Sequence, residues 1–323
     1  MGVKVKQLWT HYNYVIIFIG ILVAFLITNG SDTSWTSMTN ILLHSAILGT
    51  IALGVGFIIL TGDIDLSVGS SFVLVGGLTI IAYNQLDSIV AALVIAVVLG
   101  MVLGFVNGLL VGKLLMPSFI VTLATMLIYR SISQYMMNER GETRYSVDGS
   151  LPSYRTLFDI GNGDVLTIPV LGIVFIGIAA ALAYVASSTK FGKRVYALGS
   201  NPRAAKLAGV DIDWTRVKVF VLCGALVGLA AFLKIAKDTS FDPATSGKNF
   251  ELYAIAAVVI GGISMAGGRG KIASIVFGAM SFTMIDKIIT AVGMNALLND
   301  TVKGLILLAA VGLQMVKRPS RPG

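Results

Sequence analysis

Thr283, Asp286 and Thr290 recur at i, i+3 and i+7 spacing within a mostly apolar stretch, so a helix there carries all three on one face. Polar side chains are costly in hydrocarbon, and such a face reads as the lining of a solute path. The competing reading is a structural ion pair between helices, with Arg130 or Lys287 as the cation. Arg130 lies roughly 18 Å from the inner end of its own apolar segment, and Asp286 with Lys287 roughly 22 Å along theirs. Both sites therefore fall in the outer half of a bilayer. Asn107, in a fourth apolar segment, either lines the same path or ties helices together.

Catalysis finds no support among these residues. His11 and His44 stand far apart and Cys223 is the single cysteine, so no Ser/His/Asp or Cys/His set and no dedicated zinc site is assembled. His44, alone in an apolar segment, reads as a packed or hydrogen-bonded imidazole. Residues 61–70, TGDIDLSVGS, set Asp63 and Asp65 just ahead of an apolar helix, with Ser67 and Gly69 following. They predict a fixed element at a gate, with Asp65 accepting hydrogen bonds from the first helical amides and gaining from the helix dipole. A plain helix cap explains them equally well. A metal held by Asp63 and Asp65 lacks further hard ligands nearby. The Gly-rich run 261–271 contains no GxxxxGK[ST], nor does any other part of the chain, so a phosphate-binding loop is excluded.

Positioning these groups requires many membrane helices. The chain has 323 residues, 56% hydrophobic and only 12% charged, where soluble proteins approach about 25% charged. Ten segments are long and apolar enough to predict spans: 12–28, 41–60, 66–83, 89–112, 118–137, 166–186, 219–236, 251–265, 272–292 and 301–316. The third and eighth are short or Gly-rich, and predict tilted, broken or partly re-entrant elements shielded by surrounding protein. The first is read as a retained span, because no small-x-small cleavage pattern follows it. With the N-terminus inside, 15 of the 24 cations but only 4 of the 16 acids fall on the inner side. That asymmetry predicts ten spans with both ends cytoplasmic, and it reads the net charge of +8 as topology, not as a nucleic-acid surface. Residues 138–167 form the main outer loop, a folded connection of mixed charge suited to a partner.

The long inner loop, residues 188–218, carries seven cations against two acids. Within it Asn201, Pro202, Arg203, Ala204, Ala205, Lys206, Leu207, Ala208 and Gly209 read as a miniature helix. Asn is a favoured N-cap, Pro fits the first helical position, and Gly terminates. A short capped helix on a cytoplasmic loop suits docking to a soluble partner that drives the process.

Four motifs in order, TGDIDLSVGS (61–70), MPSFIVTLATMLIYRS (116–131), TKFGKRVYALGSNPRAAKLAGVDI (189–212) and FELYAIAAVVIGGISMAGGRGKI (250–272), resemble the membrane permease of ribose/galactose/xylose/arabinose-type ABC sugar importers. The resemblance covers nearly the whole chain. It implies an all-α polytopic membrane protein, one permease domain over residues 1–323 with about ten transmembrane helices, similar to the vitamin B12-type importers. It implies a partner ATP-binding subunit that holds ATP and Mg, an external sugar-binding protein, and a second permease copy or paralogue. No cofactor or metal is then held by this chain, and the coupling helix falls at 201–209. Two positions depart from the family pattern: Asp63, where Gly is more frequent, and Tyr253, where an Asp is common. A transporter or channel driven by an ion gradient is the alternative, for which Asp286 alone is thin support.

Overall fold

A computed structural model describes residues 3–30, 33–295 and 298–316. The cations Lys317, Arg318 and Arg321 of the topology count lie outside them. A helix lies on each of the ten predicted apolar segments: α1 (Val3–Asn29), α2 (Trp35–Leu60), α3 (Val68–Leu86), α4 (Ile89–Gly112), α5 (Ser118–Glu139), α7 (Val170–Ser188), α10 (Ile212–Asp238), α11 (Phe250–Ile260), α12 (Ser274–Ala291) and α13 (Asn299–Val316). Six of them, α2, α3, α4, α7, α10 and α12, are long and apolar enough to cross a membrane. The protein is a helical membrane protein. Among the described residues the strands are two-residue pairings, β1 (Tyr145–Ser146) with β4 (Ser240–Phe241) and β2 (Asp164–Val165) with β3 (Ile168–Pro169).

Three helices form the centre, and small residues set their spacing. Gly100 and Gly104 on α4 face Gly224, Gly228 and the Phe220 carbonyl on α10, so closely that a Cβ at either α4 position would overlap the α10 backbone. Without a hydrophobic drive between helices in lipid, such close backbone approach is the main source of packing energy. α2 supplies the third member, buried from Ser45 to Leu60. Its start is fixed by a capping box between Ser34 and Ser37.

The eighth predicted span is half a helix. α11 has 11 residues, roughly 16 Å, and the Gly-rich residues 261–273 then turn back towards α2. The turn is tied there, the Gly268 amide donating to the Leu60 carbonyl at 2.9 Å. Irregular backbone beside membrane helices is tolerated where protein shields it, and Gly261, Ile263, Gly267 and Ile272 of this segment are buried.

Polar connections gather at opposite ends of α7. One end carries residues 138–169, which hold β1, the helix α6 (Tyr154–Asn162) and the β2–β3 pair. The other carries the basic loop, which folds into α8 (Lys190–Ser200) and α9 (Pro202–Leu207) before α10 begins.

Candidate functional site: a polar cleft and a capped basic helix

The five polar residues read as a solute path separate into three places. Thr283, Asp286 and Thr290 line one cleft of about 370 Å³ with His44, Lys287 and Lys303, and with the rings of Phe250, Tyr253 and Phe282. Lys303 on α13 is buried and pairs with Asp286 at 2.7 Å. Its ammonium also stands 4.4 Å from the Tyr253 ring centroid and 5.2 Å from that of Phe282. The cation of this ion pair is therefore Lys303, neither Arg130 nor Lys287. Tyr253 donates its hydroxyl to Asp300, which fixes the ring over the ammonium. Thr283 accepts from the Ser45 hydroxyl at 2.9 Å and so joins α12 to α2. Lys237 stands 3.1 Å from His44 Nδ1. An ammonium has no acceptor, so Nδ1 accepts and the neutral ring carries its proton on Nε2.

Arg130 lies outside this cleft. Its Nη1 donates to the carbonyls of Pro243, at 3.0 Å, and Ser246, at 2.7 Å, clamping the turn that precedes α11. Within that turn Asp242 accepts from the Ala244 amide at 2.7 Å and from the Thr245 hydroxyl, also at 2.7 Å.

Asn107 joins the 61–70 motif instead. Its Nδ2 donates to Ser67 Oγ at 2.8 Å, and the Ser67 hydroxyl donates on to Asp65 at 2.6 Å. Asp65 also accepts from the Ser67 amide at 2.8 Å, one residue ahead of the first residue of α3. The carboxylate thus closes a turn before the helix and does not cap its first amides. Asp63 takes a different partner, Arg216 on α10, at 3.2 Å in an ion pair without hydrogen-bond alignment. Burial pushes the Asp63 carboxyl above its ordinary value, against the pull of the Arg216 charge. Gly69 abuts the Gly247 carbonyl and the Glu251 carboxylate, so the motif packs against the turn that Arg130 clamps.

At the basic end, α9 is closed at both ends. Asn201 Oδ1 accepts from the Ala204 amide at 3.1 Å, and Pro202 opens the helix. Gly209 adopts φ +79°, its amide donating to Lys206 and that of Val210 to Ala205, the paired bonds of a Schellman ending. Ala205 is buried against the chain itself, whereas Leu207 is 90% exposed beside exposed Arg203, Ala204 and Lys206. The projecting face is therefore Arg203, Ala204, Lys206 and Leu207, with Ala205 as the anchor.

α8, which the sequence reading did not resolve, seats α9. Gly192, Val195 and Leu198 form its buried stripe, and Thr189 accepts from the Gly192 amide at 3.2 Å. A Cβ at Gly199 would overlap the Leu60 carbonyl and the Gly268 amide, while Tyr196 donates to the Gly270 carbonyl at 2.8 Å. The segment entering α9 thus packs directly on the last residue of α2, just ahead of the 61–70 motif, and on the Gly-rich turn.

Residues 37–311 match the family described as branched-chain amino acid transport system / permease component. The ribose import permease protein RbsC of Bacillus subtilis (strain 168) is 34% identical over 307 residues, covering 93% of this chain and 92% of the relative. RbsC of Escherichia coli (strain K12) is 33% identical over 282 residues, covering 85% and 84%. The L-arabinose transport system permease protein AraH of the same strain is 30% identical over 315 residues, covering 98% and 93%. The chain therefore belongs to this permease family, in which the relatives it resembles are permeases of sugar import systems.

Proposed function

We propose that this chain is the membrane subunit of a binding-protein-dependent importer that carries a monosaccharide, pentose or hexose, into the cell. ATP hydrolysis on a separate cytoplasmic subunit drives it. In this reading the protein makes ten crossings of the cytoplasmic membrane with both ends inside and has the architecture of the vitamin B12-type importers. It works with a second permease, identical or paralogous, and receives sugar from an external binding protein. ATP and Mg belong to the partner.

The observation that carries the reading is α9. A single-turn helix closed by Asn201 and Gly209 and seated through Ala205 offers a rigid peg, and Leu207 offers it an apolar tip. An apolar side chain left this exposed gains when a soluble partner buries it. The cleft around Asp286 supports the path. Aromatic faces and hydroxyl-bearing side chains together suit the apolar and polar faces of a sugar ring.

The test is reconstitution of the permease with an ATPase and a sugar-binding protein, which this reading expects neighbouring reading frames to encode. Uptake of labelled pentoses and hexoses should require all three, together with ATP. Uptake by the permease alone, driven by an ion gradient, would overturn the proposal in favour of a secondary transporter.

A further inference from the structure

We infer that a cleft between α4, α7 and α10 holds a membrane phospholipid with an anionic headgroup. The cleft measures about 660 Å³. Leu182, Val185, Leu222 and Ala225 line it with apolar, buried or half-buried side chains beside exposed Met101, and Arg194, Lys218 and Trp214 are exposed at its rim.

The distribution of these groups fits one occupant. Along α10 the lining runs from Trp214 to Ala225, about 16 Å of helix, which matches the reach of much of an acyl chain into one leaflet. The cations are confined to the end that bears the basic loop 188–218, where charge counting puts the cytoplasmic surface. Anionic lipids concentrate in that leaflet, and basic pockets between membrane helices bind their headgroups. Neither Arg194 nor Lys218 forms an ion pair among the described residues. The one acid at the rim, Asp211, is engaged as the cap of α10, its Oδ1 accepting from the Trp214 amide at 3.1 Å. Trp214 is itself positioned by Lys113, whose ammonium stands 4.7 Å from the ring centroid. An indole at the boundary with a cation beside it is the usual anchor at headgroup depth.

The site adjoins the peg. Arg194 belongs to α8 and Asp211 follows α9, so a headgroup held there brackets the helix read above as the coupling element. The lipid assignment stands on the cleft alone and survives if that functional reading fails.

The experiment is native mass spectrometry of the purified full-length permease titrated with phosphatidylglycerol or phosphatidylcholine of matched chains. Phosphatidylglycerol should be retained preferentially. Arg194→Gln and Lys218→Gln should each lower that preference roughly fivefold, while Lys218→Arg keeps it. Thermal melting without added lipid separates misfolding from lost binding, and should be unchanged in all three variants. Equal retention of the two lipids, or an undiminished preference in both Gln variants, would overturn the inference. Displacement of the lipid by millimolar inorganic phosphate would make this a free-anion site instead. Cross-linking of two lipid-free copies through a cysteine placed at Met101, in a Cys223→Ser background, would assign the cleft to a second copy.

Discussion

The Arg130 guanidinium donates to the Ser246 carbonyl at 2.7 Å, so a cation on α5 holds the turn that launches the half-helix α11. A charged donor with two carbonyl acceptors is engaged in structure, and the cleft that holds Asp286 does not include it.

Arg130→Gln should therefore loosen residues 242–249. Hydrogen bonds to a charged group contribute about 1.5–3 kcal/mol each, and two are lost. Because Arg130 is half-buried, a melting temperature several degrees lower is expected, with faster hydrogen exchange confined to that turn. Reduced sugar uptake at unchanged stability and exchange would return Arg130 to the solute path.

A titration in the same turn gives a pH test. The Thr245 hydroxyl, helped by the Ala244 and Thr245 amides, holds the Asp242 carboxyl below its ordinary 3.8. A depressed carboxylate contributes stability above the unfolded value and loses it as pH falls through the folded one. Exchange protection of residues 243–246, corrected for intrinsic rates, should hold down to about pH 4 and fall below it. In Asp242→Asn, whose amide oxygen still accepts but does not titrate, it should be independent of pH. Full protection of the parent turn at pH 3 would contradict this.

The ion pair between Asp286 and Lys303 allows a relocation experiment. Tyr253 lies against the same ammonium, so a carboxylate at 253 can reach it. Asp286→Asn should cost about 1–3 kcal/mol, less than a fully buried pair because the Asp286 side chain is 37% exposed. Adding Tyr253→Asp should recover much of the loss in a thermal melt. If the double variant is no more stable than the single one, the charge at 286 has a role beyond neutralising Lys303.

Much of this architecture was legible because apolar runs of bilayer length leave few alternatives, and each of the ten predicted runs contains a helix. The ends of α9 were equally readable, since Asn201, Pro202 and Gly209 have local reasons for their positions. What escaped was non-local. Arg130 binds backbone carbonyls, which have no residue signature. Lys303 is visible as a cation, but its choice of Asp286 depends on α12 and α13 being neighbours. α8 was hidden because Lys190, Lys193 and Arg194 overlie a short buried stripe. The repeat Gly100, Gly104, Gly108 and Gly112 was in plain view at i, i+4 spacing and marks the face that meets α10.

That glycine face gives a further test. Gly104→Val places two methyl groups against the Phe220 carbonyl and the Gly224 backbone, where no side chain can swing aside. Overpacking typically costs about 1–3 kcal/mol, and a backbone neighbour puts this case at the upper end. Gly177→Val on α7, which meets nothing within 4 Å, is the control and should leave the melt unchanged. Equal melts for the two variants would mean that α4 and α10 are not packed this closely.

The coupling role of residues 201–209 is the most direct prediction. Ala205→Pro removes an amide that donates to Asn201 at 3.0 Å, and interior proline costs about 3 kcal/mol or more, so α9 should unwind. Because Ala205 is also the buried anchor, this variant tests the fold of the peg and its seat together. Leu207→Ala is the cleaner probe: the side chain is 90% exposed, so the permease should accumulate and melt as before. If the leucine fills a pocket on the ATPase, binding should weaken by about 2 kcal/mol or more, near thirtyfold in affinity. Sugar-stimulated ATP hydrolysis should fall with it. Ala204→Glu, on the same projecting face, should act likewise by adding an acid where Arg203 and Lys206 supply positive charge. Normal ATPase capture and normal sugar uptake in both Leu207→Ala and Ala204→Glu would make α9 an ordinary solvated loop helix.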